Sequence, residues 1–292
     1  MRDKITEYAV SFMSRMLNVT RQGYYKWLKN QDKPYKYKTL LAQMNEILSE
    51  DEENENYGIV RMYQALKFRF DIKLSQSTLA RVMRENGMIQ PKKRHPQGLT
   101  KADKEAQKSD NLLNQNFEAE KPNEKWVTDI TQLPTSDGTL YISGIFDCYD
   151  DSAVGLTMDD NMRKELVIAT LDQAMKLHRP TADLIIHSDR GSQYTSADFR
   201  AAIEKYEINQ SMNSAAGRCH DNAKCESMWA RFKVEKIYGK IDTSKMSMES
   251  VKRLVFRYFM SYWNNRRICS AIGGLPPAEK RRRFFAGVAI AA

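Results

Sequence analysis

Cysteine is scarce. Four occur in 292 residues, at positions 148, 219, 225 and 269. That is too few to staple a chain of this length, and a reduced, cytoplasmic setting is expected. Long hydrophobic runs are missing too. No stretch of eighteen apolar residues occurs, so no membrane-spanning helix is expected. The opening residues, MRDKITEYAVSFM, carry charges within their apolar part and offer no small-residue cleavage site. They make a poor signal peptide. The hydrophobic fraction of 41% nevertheless supports a sizeable core and argues against wholesale disorder. The length suits two or three domains.

Charge is plentiful and unevenly laid out. The net charge is +9. Residues 1–100 hold 18 Lys/Arg against 11 Asp/Glu, residues 101–220 hold 13 against 20, and residues 221–292 hold 15 against 6. Basic flanks attract a polyanion, and the acidic middle repels one unless metal cations sit there. Nucleic acid is the partner class this favours.

Local patterns divide the chain. Residues 1–89 read as short helices. Thr20 is placed to cap one carrying Tyr24, Trp27 and Leu28 on a single face. An amphipathic helix is expected over 38–50, then an acidic loop, SEDEENEN. YGIVRMYQAL is helical in period. Ser75 or Ser77 starts the next helix, with Leu79, Val82 and Met83 inside, Arg81 and Arg84 outside, and Gly87 as the stop. That pattern suits a helix-turn-helix DNA reader and equally a plain helical bundle. Residues 90–122 read as a polar linker. Residues 123–285 follow as a mixed α/β core and 286–292 as a tail. In the core, KWVTDITQL, TLYISGIFDCY and AVGLTM are successive strands, with Asp137-Gly138 as a hairpin turn. KELVIATLDQAMKLH is a helix, LIIHS a strand, SADFRAAIEKY a helix and INQSM a strand. Long helices follow over about 222–238 and 247–263.

Three acids stand out. Asp129 lies inside the first core strand, where Asp is depleted and an unpaired carboxylate is costly. Asp189 ends the fourth strand, in LIIHSDRG, and Glu226 lies on a helix with Trp229 and Ala230. If the three converge, they suit an oxygen-ligated cation such as Mg²⁺ or Mn²⁺. Each also has a plain structural reading, as a turn cap, a turn former or a surface ion-pair partner.

YGIVRMYQAL, PNEKWVTDIT, HSDRGSQYTS, SMNSAAGRCHDNAKCESMWARFKVE and YWNNRRICSAIGGLPPAE occur in that order. With these blocks, nearly the whole chain resembles the second reading-frame protein of the IS-three family of bacterial insertion-sequence transposases. The resemblance implies a ribonuclease-H-like, integrase-type core and a DNA transposase, a DDE-type polynucleotidyl transferase. Its triad would be Asp129, Asp189 and Glu226, holding two Mg²⁺ or Mn²⁺ ions for strand cleavage and transfer. It implies DNA as partner, both element ends and target. It also implies a first-frame helix-turn-helix protein or a fusion with it, a homo-oligomer on DNA, and a cytoplasmic, nucleoid-associated location. Lys233, two helical turns after Glu226, is a candidate DNA contact. Arg190 and Gln193 either contact phosphate or shape the turn. Lys224, Arg266 and Arg267 are further candidate DNA contacts. Asp221 and Asn222 are expected to cap the helix of Glu226, and Asp147 to support the triad. The spacing between Asp189 and Glu226 is one residue longer than the family pattern, within NSAAG, and Cys269 stands where many relatives carry His. The competing readings are a catalytically inactive DNA-binding second-frame product that modulates transposition, and a plain ribonuclease-H-type nuclease.

Two other clusters compete for attention. Cys219, His220 and Cys225 have poor spacing and no fourth ligand or CxxC pair nearby, so zinc is not expected. Asp147, Asp150 and Asp151 are denser than the triad, but Asp150 and Asp151 are expected as solvated turn residues.

Overall fold

The structure is a computed structural model that describes residues 8–30, 35–89, 110–180, 183–213 and 222–287. Two compact units divide after Glu46. The first holds α1 (Val10–Met16), α2 (Arg21–Asn30) and the first turns of α3 (Lys38–Glu50). Thr20 starts α2, its hydroxyl accepting the Gly23 N–H at 3.0 Å. Of the expected apolar face only Tyr24 is buried; Trp27 is exposed.

The second unit begins within α3. Its first surprise is the stretch expected as an acidic loop. Residues Glu52–Asn56 form a tight 3₁₀ turn, and Asp51, Glu53 and Asn54 are buried. Buried carboxylates need cations, and these arrive from far along the chain. Lys236 meets Glu53 at 2.5 Å and Glu52 at 2.8 Å. Arg257 and Arg266 meet Asp51 at 3.0 and 3.2 Å. Helices α4 (Ile59–Phe70) and α5 (Gln76–Glu85) follow. The Ser75 hydroxyl accepts the Thr78 N–H and starts α5, Leu79, Val82 and Met83 are buried, Arg81 and Arg84 are exposed, and Gly87 (φ +67°) ends the run.

The core is one five-stranded sheet. Its strands are β1 (Lys125–Thr135), β2 (Gly138–Asp147), β3 (Ala153–Asp159), β4 (Ile185–Ser188) and β5 (Asn209–Met212), in the order β3-β2-β1-β4-β5. β1, β2 and β3 pair antiparallel, while β4 joins β1 and β5 joins β4 in parallel. This is the expected mixed α/β, ribonuclease-H-like arrangement. α6 (Lys164–His178) and α7 (Ala197–Lys205) share one core with Trp126, Ile145 and Val154. On the other face α8 (Ala223–Phe232) and α9 (Met248–Phe256) pack on Val127, Leu133 and Phe146. The alternation of Trp126 and Val127 between two cores is the period-2 pattern of β1 made physical. Both long helices widen into π-helical turns, at Lys233–Ile237 and Arg257–Trp263. α10 (Pro277–Phe285) closes the described chain.

Two of the sequence blocks meet each other. The Tyr57 hydroxyl accepts the Ile268 N–H at 3.0 Å, and Ser270 donates to Gln64 at 2.8 Å. Gly274 (φ +75°) lies under Gln64, where any Cβ would come within 2.8 Å of that side chain. YGIVRMYQAL and the end block are therefore two sides of one internal interface.

Candidate functional site

The sheet register brings the first two acids side by side. β1 and β4 pair Lys125 with Ile185, Trp126 with Ile186 and Val127 with His187. The same offset carried two residues further sets Asp129 level with Asp189. On its other side Asp129 pairs with Gly144 of β2. Gly144 is where α8 comes down: a Cβ there would sit 2.8 Å from the Trp229 ring. The missing side chain lets Trp229 lie close on the sheet. Phe146 and Phe259 box the ring at 5.3 and 5.4 Å, aromatic pairs each worth about 1 kcal/mol. The buried stripe of α8 is Cys225, Met228, Trp229 and Phe232. Glu226, on the exposed edge of that stripe, is thus carried to the Asp129 side of the sheet.

A polar tie reinforces this. Asn222 stands at the start of α8, and its carbonyl accepts the Glu226 N–H at 3.1 Å. Its side chain makes no cap. Instead its amide donates to the Thr128 carbonyl at 3.1 Å, next to Asp129. The expected side-chain cap is corrected to a helix-to-strand tie. Asp221 lies outside the described residues.

Electrostatics shows Asp189 and Glu226 both acting on Asp129. Burial, and then the charge of Asp189, push Asp129 up to about 8; Glu226 adds to the rise, while the Ile130 N–H and Lys233 oppose it. Burial also raises Asp189, against the Gly191 N–H and His187. That N–H reaches the Asp189 Oδ1 at 2.9 Å, so Asp189 forms the turn and faces its neighbours at once. Lys233 is half-buried; desolvation lowers it and Asp129 holds it up. Among the described residues no three His, Cys, Asp or Glu side chains close into a ready metal cage. The donor set is all oxygen, and its mutual repulsion is of the kind a hard divalent cation relieves.

Two supports have no local sign in the sequence. Tyr194, fully buried, brings its hydroxyl to 3.2 Å from that of Thr128. His187 is clamped between the Ser211 hydroxyl (2.8 Å) and the Asn213 amide oxygen (2.9 Å). Both residues stood in LIIHSDRGSQY, but their partners lie on other elements.

Comparison with known proteins follows from this geometry. The integrase core domain model matches residues 119–219. The chain is 33% identical to the insertion element IS600 uncharacterized 31 kDa protein of Shigella sonnei, over 93% of this chain and 98% of that one. It is 31% identical to transposase InsF for insertion sequence IS3A of Escherichia coli K12, over 96% of each. The chain belongs to the IS3 family of insertion-sequence transposases. It therefore carries an integrase core, and polynucleotidyl transfer is its broad enzyme class. Its backbone is also similar to the simian T-cell lymphotropic virus intasome in complex with PP2A regulatory subunit B56 gamma, at TM-score 0.42 and 13% identity, covering 71% of this chain and 67% of that one. The HTLV-2 integrase catalytic core domain in complex with magnesium gives TM-score 0.38 and 14% identity, with 56% and 99% covered.

Several expected DNA contacts of this IS3-family chain point inward. Arg267 is 4% exposed and grips Glu235 through two nitrogens, at 2.6 and 2.9 Å. Burial opposes the Glu235 charge, but Arg267 outweighs it and holds the acid down at about 2. Lys224 runs to Asp151 at 2.5 Å and the Cys148 carbonyl at 3.2 Å. Both are corrected from surface contacts to internal ties, because a buried acid waits for each. Arg190 donates to the Asn213 carbonyl at 2.6 Å, and Gln193 to the Met162 carbonyl at 2.9 Å, so both help shape the turn. Arg266 keeps half its side chain exposed beside Asp51.

The rival acid cluster is corrected as well. Asp150 and Asp151 are buried, not solvated. Asp147 and Asp150 share Arg281, at 2.5 and 2.6 Å. Asp147 also accepts the N–H groups of Asn123 and Tyr149. Its support is to the fold behind the strands. Cys225 is buried, while Cys219 and His220 lie outside the described residues. No helix among the described residues is long and apolar enough to cross a membrane.

Proposed function

We propose that this chain cuts DNA at the ends of an insertion sequence and joins them to target DNA, with Asp129, Asp189 and Glu226 as a metal-holding triad. One observation carries the reading: Asp129 is raised by burial and by the charges of Asp189 and Glu226 together. Evolution toward stability alone would not gather like charges without cations. Two Mg²⁺ or Mn²⁺ ions fit the oxygen-only donors, and when bound they supply charge neutralisation of the phosphate and an activated hydroxyl nucleophile. The chain's own residues do the rest. Gly191 fixes the Asp189 carboxylate through its N–H. Asn222 holds α8 to the strand of Asp129, and Trp229 holds it to the neighbouring β2. Lys233, half-buried and electrostatically coupled to Asp129, offers a phosphate contact at the edge of the triad. The exposed Arg81 and Arg84 of α5, with the basic first hundred residues, support DNA binding by residues 1–89. A first-frame helix-turn-helix protein or fusion, a homo-oligomer on DNA and a place at the nucleoid complete this proposal.

Asp129→Asn, Asp189→Asn and Glu226→Gln are each expected to abolish Mg²⁺-dependent nicking and strand transfer while DNA binding persists. Retained activity in any one of them sinks the triad. A second reading, an inactive DNA-binding product that modulates transposition, draws on the spacing between Asp189 and Glu226, one residue longer than the family pattern. It predicts no Mg²⁺-dependent nicking of a supercoiled plasmid carrying element ends, with wild-type chain and with EDTA alike.

A further inference from the structure

The turn between β2 and β3, DCYDD, meets the start of the helix that carries Glu226. Asp151 takes φ +62° there, a backbone region that L residues other than Asn and Asp rarely enter. It is pinned from several sides. Its N–H donates to the Asp147 carbonyl at 3.0 Å, and Trp263 donates to its carbonyl at 2.7 Å. The next residues are tied by Asn264, which exchanges two bonds of 2.9 Å with the backbone of Ala153. The YWNN motif thus holds this turn rigid. From the rigid turn one carboxylate, Asp151, meets a side chain of the helix that carries Glu226.

That side chain is Lys224, in the first turn of α8. A cation in the first turn of a helix works against the helix dipole, so its presence there calls for a compensating partner. Asp151 is 1% exposed and Lys224 19%. Desolvation works against the Lys224 charge, and Asp151 with the neighbouring Cys148 outweighs it. The contact is an ion pair at 2.5 Å; the Asp151 Oδ1 has no hydrogen bond of good angle. Asn222, two residues earlier, reaches the Thr128 carbonyl of β1. The start of α8 is therefore held at two points, one toward β1 and one toward the turn after β2. Two such points fix its rotation as well as its position. Glu226 follows Lys224 by two residues, about 200° around the helix, so rotation decides where its carboxylate points.

We propose that Lys224 and Asp151 are positioning residues that set the direction of Glu226 toward Asp129 and Asp189. The proposal rests on the reading of Glu226 as a metal-holding acid. Lys224→Met alone leaves Asp151 buried without a cation, and such a variant can fail to fold. The decisive variant is the double one, Lys224→Met with Asp151→Asn, which removes both charges, compared in the full chain with Lys224→Arg.

For the double variant the expected results are an unchanged Kd for element-end DNA in EDTA and an unchanged salt dependence. The kcat for Mg²⁺-dependent nicking falls about 10–100-fold, and Mn²⁺ affinity, read by electron paramagnetic resonance without DNA, weakens by a similar factor. Lys224→Arg retains most of both. An unchanged kcat and Mn²⁺ affinity in the double variant overturns the proposal. So does a weakened DNA Kd with a salt slope lower by about one, which marks a phosphate contact. Glu226→Gln run alongside separates the two claims. If Glu226→Gln stays active, the triad itself fails. If Glu226→Gln is dead and the double variant is fully active, only the positioning claim fails.

Discussion

Two trios of acids share this core, and they differ in what faces them. Asp147, Asp150 and Asp151 are buried and look toward cations: Arg281 serves the first two and Lys224 the third. In the second trio Asp189 and Glu226 raise Asp129, and Lys233 opposes the rise. The denser trio in sequence is the structural one. Proximity of carboxylates along the chain thus says little about chemistry. What marks the first trio is that each of its acids meets a cation in a close ion pair. Buried acids with built-in counter-charges hold a structure together. At Asp129 the charges of Asp189 and Glu226 instead add to burial, and the proposed metal role rests on that.

The sharpest way to break this contrast is to neutralise one acid of each trio. Asp129→Asn is expected to lower Mg²⁺-dependent nicking more than ~100-fold. Its melting temperature without metal should not fall, because the amide replaces a carboxyl whose charged form is disfavoured by burial and by Asp189. The structural trio should respond the other way. Arg281→Met strips the cation from two buried carboxylates, and breaking such a buried pair costs about 3–5 kcal/mol. For a unit of this size that lowers Tm by on the order of 10 °C, seen by calorimetry. Activity per folded molecule at low temperature should stay near wild type. If Arg281→Met abolished nicking in protein that still melts normally, the division between the trios would be wrong.

Acid tolerance sharpens the same comparison at a smaller scale. His178 lies against Arg281, its Nδ1 at 3.0 Å from the guanidinium. Burial, and then the Arg281 charge, pull His178 down to about 4 from 6.5. The unfolded chain therefore binds the proton more readily than the folded one. Stability from this group is complete above pH 6.5 and is lost as pH falls through about 4, up to about 3 kcal/mol in all. Urea denaturation at pH 7.5 and 5 should show part of that loss, and His178→Gln should remove it. An identical drop in the variant would assign the acid sensitivity elsewhere.

Much of the sheet was legible in the sequence. The alternation in KWVTDITQL, the Asp137-Gly138 turn and the helical period of residues 164–178 are local signals, and each element forms where that signal lies. Thr20 and Ser75 likewise reveal themselves by capping chemistry with neighbours three residues away. The misread positions share a different feature. Asp51 and Glu53 looked like a solvated loop because Arg257 and Lys236 enter from another part of the chain. Lys224 and Arg267 looked like DNA contacts because a basic residue carries no local sign of the acid that will bury it. Asp129, Asp189 and Glu226 stood out singly in the sequence, but their grouping came only from the resemblance to a family, since charge coupling across two strands and a helix has no period in the sequence.

The smallest effect tests how the helix of Glu226 is seated. Gly144 has an ordinary backbone, so its role is the space above it, filled by Trp229. Gly144→Ala would place a methyl 2.8 Å from two ring carbons. The ring has little freedom to move, since Phe146 and Phe259 pack against it at 5.3 and 5.4 Å. The helix must rise instead, at a cost of about 1–3 kcal/mol from overpacking. Glu226 rises with it, and a displacement of that kind should lower kcat about tenfold with little change in DNA affinity. The atoms that clash, Cη2 and Cζ2, belong to the six-membered ring of Trp229, so adding Trp229→Phe should relieve the strain and recover part of kcat. Recovery would tie activity to the height of α8 over β2. A Gly144→Ala chain as active as wild type would show that Asn222 and Lys224, not the Trp229 contact, hold Glu226 in place.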